Sequence, residues 1–201
     1  MGPCADLRWM LILITLFISG VESLSFGDGG AMVGVNLYSP LFKGPSPIWY
    51  STEMIRHGKF LIQSYNAITG NELVSQKSDS YSDEEAAKSL FLMHDRVVIS
   101  HGTQKHFENG PVLNYGNIAA LRRWSASWEQ LTSMPSRFTA EPMERKIRDD
   151  FMARVSASGM VQDYSGIRIA LDGTKFKIAD ATVWNVVIDG VYLGQAATFP
   201  I

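Results

Sequence analysis

The apolar positions of the chain fall into stretches with a helical spacing of three to four and stretches that alternate every second residue. From Thr52 to Ile68, Met54, Leu61, Tyr65 and Ile68 share one helical face, and Gly70 follows as a stop. A second helix is predicted to begin at the capping box Ser82-x-x-Glu85, whose two side chains satisfy each other's backbone amides, and to turn Leu90 and Phe91 inward. Ile118, Leu121, Trp124, Trp128 and Leu131 form a third patch with a break near Ser125. The fourth helix, Glu141 to Ala157, aligns Met143, Ile147, Phe151 and Val155. It leaves Arg145, Lys146, Arg148 and Arg154 on an opposite, solvated face and ends at Gly159.

Strand signals gather around Asx-Gly pairs, the residues that accept the positive φ of tight hairpins. Val97 to His101 and Val112 to Tyr115 flank a loop ending in Asn109-Gly110. Ile167, Ile169 and Leu171 alternate with Arg168 and Ala170, and Asp172-Gly173 turns the chain back through Phe176 and Ile178. Thr182 to Ile188 meets Asp189-Gly190 and returns as Val191 to Thr198. Two strands, a helical middle and three strands in hairpin succession predict an α+β domain: a five-stranded antiparallel sheet with helices on one face. An unbroken register puts Trp184 on the inner face with Phe176, Ile178 and Ile188.

Ahead of this domain, Trp9 to Ile18 is an apolar run interrupted only by Thr15, about half the roughly twenty residues needed to cross a bilayer. Small residues follow, so residues 1–25 read as a signal peptide cut after Ser23 or Ser25. Phe26 behind that point resembles the bipartite plastid leaders of algae with complex plastids. Residues 26–48, rich in Gly and Pro, read as transit segment or linker, and 49–199 as the domain. The expected destination is the plastid through a bipartite leader, or otherwise the secretory pathway. After leader removal no membrane attachment is expected.

Composition narrows the chemistry. Of 201 residues, 46% are hydrophobic and 19% charged, and the net charge is -2 with pI near 6.1. This is a globular chain without the basic footprint of a nucleic-acid binder. The sole cysteine, Cys4, lies in the leader, so the mature domain has no thiol for catalysis, disulfides or metal binding.

The order of elements is a PAS layout, and six ordered blocks are more specific. They are Ser100-His101-Gly102; Val112-Leu113-Asn114-Tyr115-Gly116-Asn117 with Ala119-Ala120-Leu121; Leu131 to Pro142; Asp163-Tyr164-Ser165-Gly166-Ile167-Arg168; Asp180-Ala181-Thr182-Val183-Trp184-Asn185; and Gly194-Gln195-Ala196-Ala197. Together they resemble the PAS-like MEKHLA family, over about Trp49 to Thr198. That family is known as the C-terminal domain of plant class III homeodomain–leucine zipper regulators and as stand-alone proteins. This chain resembles the stand-alone type. The resemblance implies a PAS-like fold with the Val97 strand beside the C-terminal strand, and a ligand space between sheet and helices.

Several residues invite sharper readings. Ser100, His101 and Asp180 suggest a hydrolase triad, but neighbours in a strand point to opposite faces, so Ser100 cannot engage the ring of His101. His94, His101 and His106 lack a metal-ligand spacing. Trp124, Trp128 and Trp184 form either core or an aromatic box. An unbulged strand places the Asp180 carboxylate on the apolar face, where it needs a cation, Arg168 or Arg137; a bulge would turn it to solvent instead. The ligand-binding candidates are therefore His101, Asn114, Arg168, Asp180, Asn185 and Gln195.

PAS-type flavin photochemistry needs a cysteine and PAS-type haem a histidine on the last helix. The mature domain has no cysteine and Glu141 to Ala157 no histidine, so the cofactor is left unknown. The reading favours a PAS-like sensory or protein-interaction module over a small-molecule-processing enzyme that uses the same cavity. Its partner is an unidentified small molecule or protein, or a second copy in a homodimer, and not nucleic acid.

Overall fold

The computed structural model describes residues 24–26, 32–34, 47–75, 82–105, 109–140 and 145–201. The apolar run Trp9 to Ile18, read above as part of a signal peptide, most of residues 26–48, His106 and Met143 lie outside the described residues. The chain divides into two units, Met1–Ser46 and Pro47–Ile201. In the first, β1 (Leu24–Phe26) and β2 (Met32–Gly34) pair antiparallel.

The second unit opens with a 3₁₀ turn at Ile48–Tyr50 and α1 (Thr52–Thr69). Ser51 caps α1 by accepting the Met54 amide, and Gly70 ends it at φ +70, donating its N–H to Asn66 O. α2 (Asp83–Leu92) starts on the expected Ser82–Glu85 capping box. Then come β3 (Arg96–Lys105), β4 (Pro111–Gly116), α3 (Ile118–Arg123) and α4 (Trp128–Thr132). Ser125, at φ +50, supplies the expected break between α3 and α4. A 3₁₀ turn at Ser136–Thr139 leads to α5 (Arg145–Ser158), β5 (Met160–Ile169), β6 (Lys175–Ile188) and β7 (Val191–Pro200).

The five long strands form one antiparallel sheet in the order β4-β3-β7-β6-β5. β3 lies in the interior beside the last strand, pairing Val97 with Phe199 and Ser100 with Ala196. This is the non-local pairing that the PAS reading requires. The expected five-stranded α+β sheet of PAS type is what the chain forms.

Helices cover both faces of the sheet and not one as expected, because apolar side chains alternate to either side of the inner strands. Successive strand residues point to opposite faces, and Val97 and Val98, both fully buried, belong to different cores. Val98, Tyr115, Trp184 and Val186 pack with Leu61, Tyr65, Leu90 and Phe91 of α1 and α2. Val97, Ile99, Phe176, Ile178 and Phe199 pack with Ala120, Trp124 and Leu131 of the α3–α4 region. α5 closes the remainder of that second face through Phe151 and Val155 against Val183.

β6 does not keep a single register. Asp180 sits at φ +52, a left-handed conformation that Asp tolerates better than most residues, and it is exposed. The pairing of β5 with β6 shifts around Val161, Tyr164 and Gly166, where Asp163 also has φ +57. This bulge flips the strand's parity. Phe176 and Ile178 before it share their face with Ala181 and Val183 after it, whereas Trp184 and Val186 face α1. Trp184 is thus a core residue, as predicted, but on the opposite face from Phe176 and Ile178.

α5 is rotated relative to its predicted face. Arg148, Phe151 and Val155 are buried at i, i+3 and i+7, while Ile147 is 61% exposed. One turn offers either Ile147 or Arg148 to the interior, and the protein buries the arginine.

Candidate functional site

Between α5 and the sheet lies a cavity of ≈ 70 Å³. Apolar walls come from β3, β4, β6 and β7 through Ile99, Leu113, Ile178 and Phe199. Polar side chains come from α5, β5 and the Ser136–Thr139 turn, which bring Arg148, Arg168, Tyr164 and Ser136 to the same space.

Each arginine is held in place. Arg168, 6% exposed, lies opposite Phe176 in the sheet, on the cavity face. Its Nη1 donates to its neighbour Ile167 O and its Nη2 to the Tyr164 hydroxyl, both at 2.9 Å. The guanidinium also lies over the Tyr164 ring, 5.3 Å from its centroid, a cation–π arrangement. The Tyr164 ring itself stacks on Phe151 at 3.9 Å. Gly166 makes this contact possible, since a Cβ there would come within 3.0 Å of the Tyr164 hydroxyl and 3.1 Å of Arg168 Nη1.

Arg148, 8% exposed, donates through Nη2 to Ser136 Oγ at 3.0 Å, and its Nη1 lies 3.5 Å from Asp149 Oδ1. Burial pulls its pKa down to about 10, and the charge of Arg168 pulls in the same direction. Asp149 is shared, because its other oxygen accepts from Arg137 Nη2 at 3.1 Å.

Three of the six predicted ligand-binding residues reach this cavity: His101, Arg168 and Gln195. His101 is buried, with Nδ1 3.0 Å from Gly102 O, and desolvation lowers its pKa despite that contact. Gln195 Nε2 donates to Ser156 Oγ and Asn185 Oδ1, both at 3.0 Å, tying α5 to β6 and β7. Asn185 takes part through that bond and is not on the wall. Asn114 points elsewhere, accepting from Ser100 Oγ at 2.7 Å. Asp180 is exposed on its bulge, and no described carboxylate lies within ion-pair distance of Arg168. The expected Asp180–Arg168 pair does not form, because the bulge turns the carboxylate outward.

Sequence reading missed Ser136, Arg148 and Tyr164, the first two for want of any signal beyond the helical spacing Arg148–Phe151–Val155. It also missed the partner of Ser100. His57 of α1 sits with Nε2 3.0 Å from Ser100 Oγ. Ser100 gives its own proton to Asn114, so His57 Nε2–H must be the donor and cannot serve as a base toward that hydroxyl. Burial, aided by the charge of Arg56, lowers His57 to a pKa of about 4. The group is a neutral hydrogen-bond chain, His57 to Ser100 to Asn114. The three tryptophans do not form a box: Trp124 is in the core of the cavity face, and Trp184 is across the sheet.

The MEKHLA domain family model matches residues 55–201. The chain belongs to the MEKHLA domain family. Among solved structures, this MEKHLA domain is similar to a PAS domain from Colwellia psychrerythraea, at 15% identity and a TM-score of 0.48 over 59% of this chain and 95% of that one. A PAS domain from a two-component sensor histidine kinase is similar at 16% identity and a TM-score of 0.40, over 51% and 81% of the respective chains. A fungal LOV domain photoreceptor is similar at 10% identity and a TM-score of 0.46, over 70% and 91%. No curated protein matches this MEKHLA domain.

Proposed function

We propose that this MEKHLA domain is a sensory or interaction module that binds a small molecule between its sheet and α5. The observation that carries this reading is the pair of buried arginines on the wall of one cavity. A domain with a purely structural role has no reason to retain them, since burying a cation costs several kcal/mol unless something compensates. His101 and Gln195 supply further polar atoms from the facing strands. Ligand occupancy is read out through α5, which Gln195 and Asn185 fasten to β6 and β7, and is passed to a protein partner or a second copy.

Native mass spectrometry of the chain isolated from its own cells tests this reading. A bound small molecule, lost when the cavity is filled by Ala181→Leu in a still-folded protein, is the expected result. A ligand retained unchanged in that variant would place binding elsewhere.

We further propose that residues 1–25 are a signal removed on the way to a plastid or the secretory pathway, on the strength of the short apolar run Trp9 to Ile18. N-terminal sequencing that recovers Met1 or Gly2 on the soluble protein would refute it.

A further inference from the structure

We propose that the ligand of this cavity is a small carboxylate, of acetate to propionate size, held by its oxygens between Arg148 and Arg168 with its carbon end toward Ile178 and Phe199. The inference rests on the small-molecule reading above and assigns its chemical class.

Charge is the first argument. Arg148 has one described carboxylate beside it, Asp149, 3.5 Å from its Nη1, and Arg168 has none among the described residues. Arg148 and Arg168 are each more than nine-tenths buried, and the two act on each other as like charges. An anion between them removes that repulsion and supplies the acceptors that a buried guanidinium requires.

Hydrogen-bond direction is the second. Trp124 is also on the wall, and its buried indole N–H finds no acceptor among the described residues. Among the described lining residues the one buried side-chain atom left without a partner is thus a donor, and the two guanidiniums beside it are donors as well. A carboxylate brings acceptors only.

Size and polarity are the third. A cavity of ≈ 70 Å³ suits a ligand of only a few heavy atoms. Leu113, Ile178 and Phe199 line the same cavity as the arginines and supply apolar surface. An inorganic oxyanion has nothing to place against that surface, whereas a short alkyl tail fits it. A planar carboxylate also matches the guanidinium fork at two points.

The test is thermal melting and calorimetric titration of the full chain with sodium propionate, sodium phosphate and neutral propionamide at constant ionic strength. Propionate should raise the melting temperature saturably and bind more tightly than phosphate, while propionamide should do neither. Arg168→Gln and Arg148→Gln should each weaken propionate binding tenfold or more, and Arg168→Lys, which keeps the charge but loses the fork, should weaken it less. The double variant Glu141→Gln/Glu144→Gln, which removes the two carboxylates adjoining the site in sequence, should keep the propionate response. For a variant that melts too low to titrate, carbon-13 line broadening of labelled propionate below the melting point supplies the affinity.

Equal responses of wild type and Arg168→Gln overturn the proposal, as does phosphate binding better than propionate. A response to propionamide but not propionate overturns the anion assignment and leaves the small-molecule reading standing. No response to any probe, together with destabilisation by Glu141→Gln/Glu144→Gln, means that the chain's own carboxylates compensate the arginines, and the proposal fails.

Discussion

The indole N–H of Trp184 donates to the hydroxyl of Ser64 at 3.0 Å, joining β6 to α1 across 120 residues of chain. Ser64 passes its own proton to Leu61 O at 3.2 Å, and the indole meets Tyr65 edge-on with centroids 5.0 Å apart. The polar tip of a fully buried aromatic is thereby satisfied inside the core. Trp184→Ala should cost about 3–5 kcal/mol in urea unfolding. Ser64→Ala, which strands the indole N–H, should cost about 1–3 kcal/mol. A Trp184→Ala loss near zero would contradict the packing of α1 on this face.

Asn117 concentrates more hydrogen bonds than any neighbour. Its Oδ1 accepts the amides of Val98 and Ala120, both at 3.0 Å, and its Nδ2 donates to Met93 O at 3.1 Å and Arg96 O at 2.8 Å. One buried side chain therefore caps α3 and fixes the start of β3. Asn117→Ala should cost about 3 kcal/mol or more, since the cap is lost and several buried groups lose partners. Asn117→Asp retains the two acceptor bonds but sets a carboxylate against two carbonyls, so equilibrium unfolding should find it nearly as unstable as Asn117→Ala.

His57 makes stability depend on pH. The folded protein keeps it neutral down to about pH 4, while the unfolded chain protonates it near the ordinary 6.5. Unfolding therefore takes up a proton between those values, and stability must fall as pH drops from about 6.5 to 4, with no further loss from this residue below that. The full effect is on the order of 3 kcal/mol. His101, also lowered by burial, acts in the same direction. Unfolding free energies measured from pH 7.5 to 4 should show this slope, and His57→Gln should flatten most of it. An unchanged slope in that variant would assign the dependence to other groups.

Asp180 should be close to neutral for stability. Asp180→Asn is expected to change it by less than about 0.5 kcal/mol, because the side chain is exposed and unpaired among the described residues. Asp180→Val, forced into φ +52, should lose about 1–2 kcal/mol. Melts of Asp180→Asn, Arg168→Gln and the double variant should be additive; a coupling of 1 kcal/mol or more would mean the two residues meet after all.

Features whose physics is local could be read from the sequence. The capping box at Ser82 and Glu85, the stops at Gly70 and Gly159 and the Asp172-Gly173 and Asp189-Gly190 turns depend on residues within a few positions of one another. Hairpin order, together with the block resemblance, also foretold β3 beside β7. His101, Arg168 and Gln195 were recognisable as candidates because polar residues interrupt apolar strands there.

What only the tertiary structure decided depends on groups far apart in sequence. The face of Trp184 turns on one extra residue at Asp180, and periodicity cannot count across a bulge. The choice of Arg148 over Ile147 for the buried face of α5 was equally closed to pattern reading, since hydrophobicity favours the isoleucine. Arg148 is buried because its guanidinium reaches Ser136 Oγ, a partner that arrives only once the 3₁₀ turn packs beneath α5, while Asp149 lies beside it on the same helix. His57 likewise meets Ser100 only when α1 lies across β3. Local hydrogen bonding fixes where elements begin and end, whereas the fate of a buried charge depends on what the folded chain brings to it.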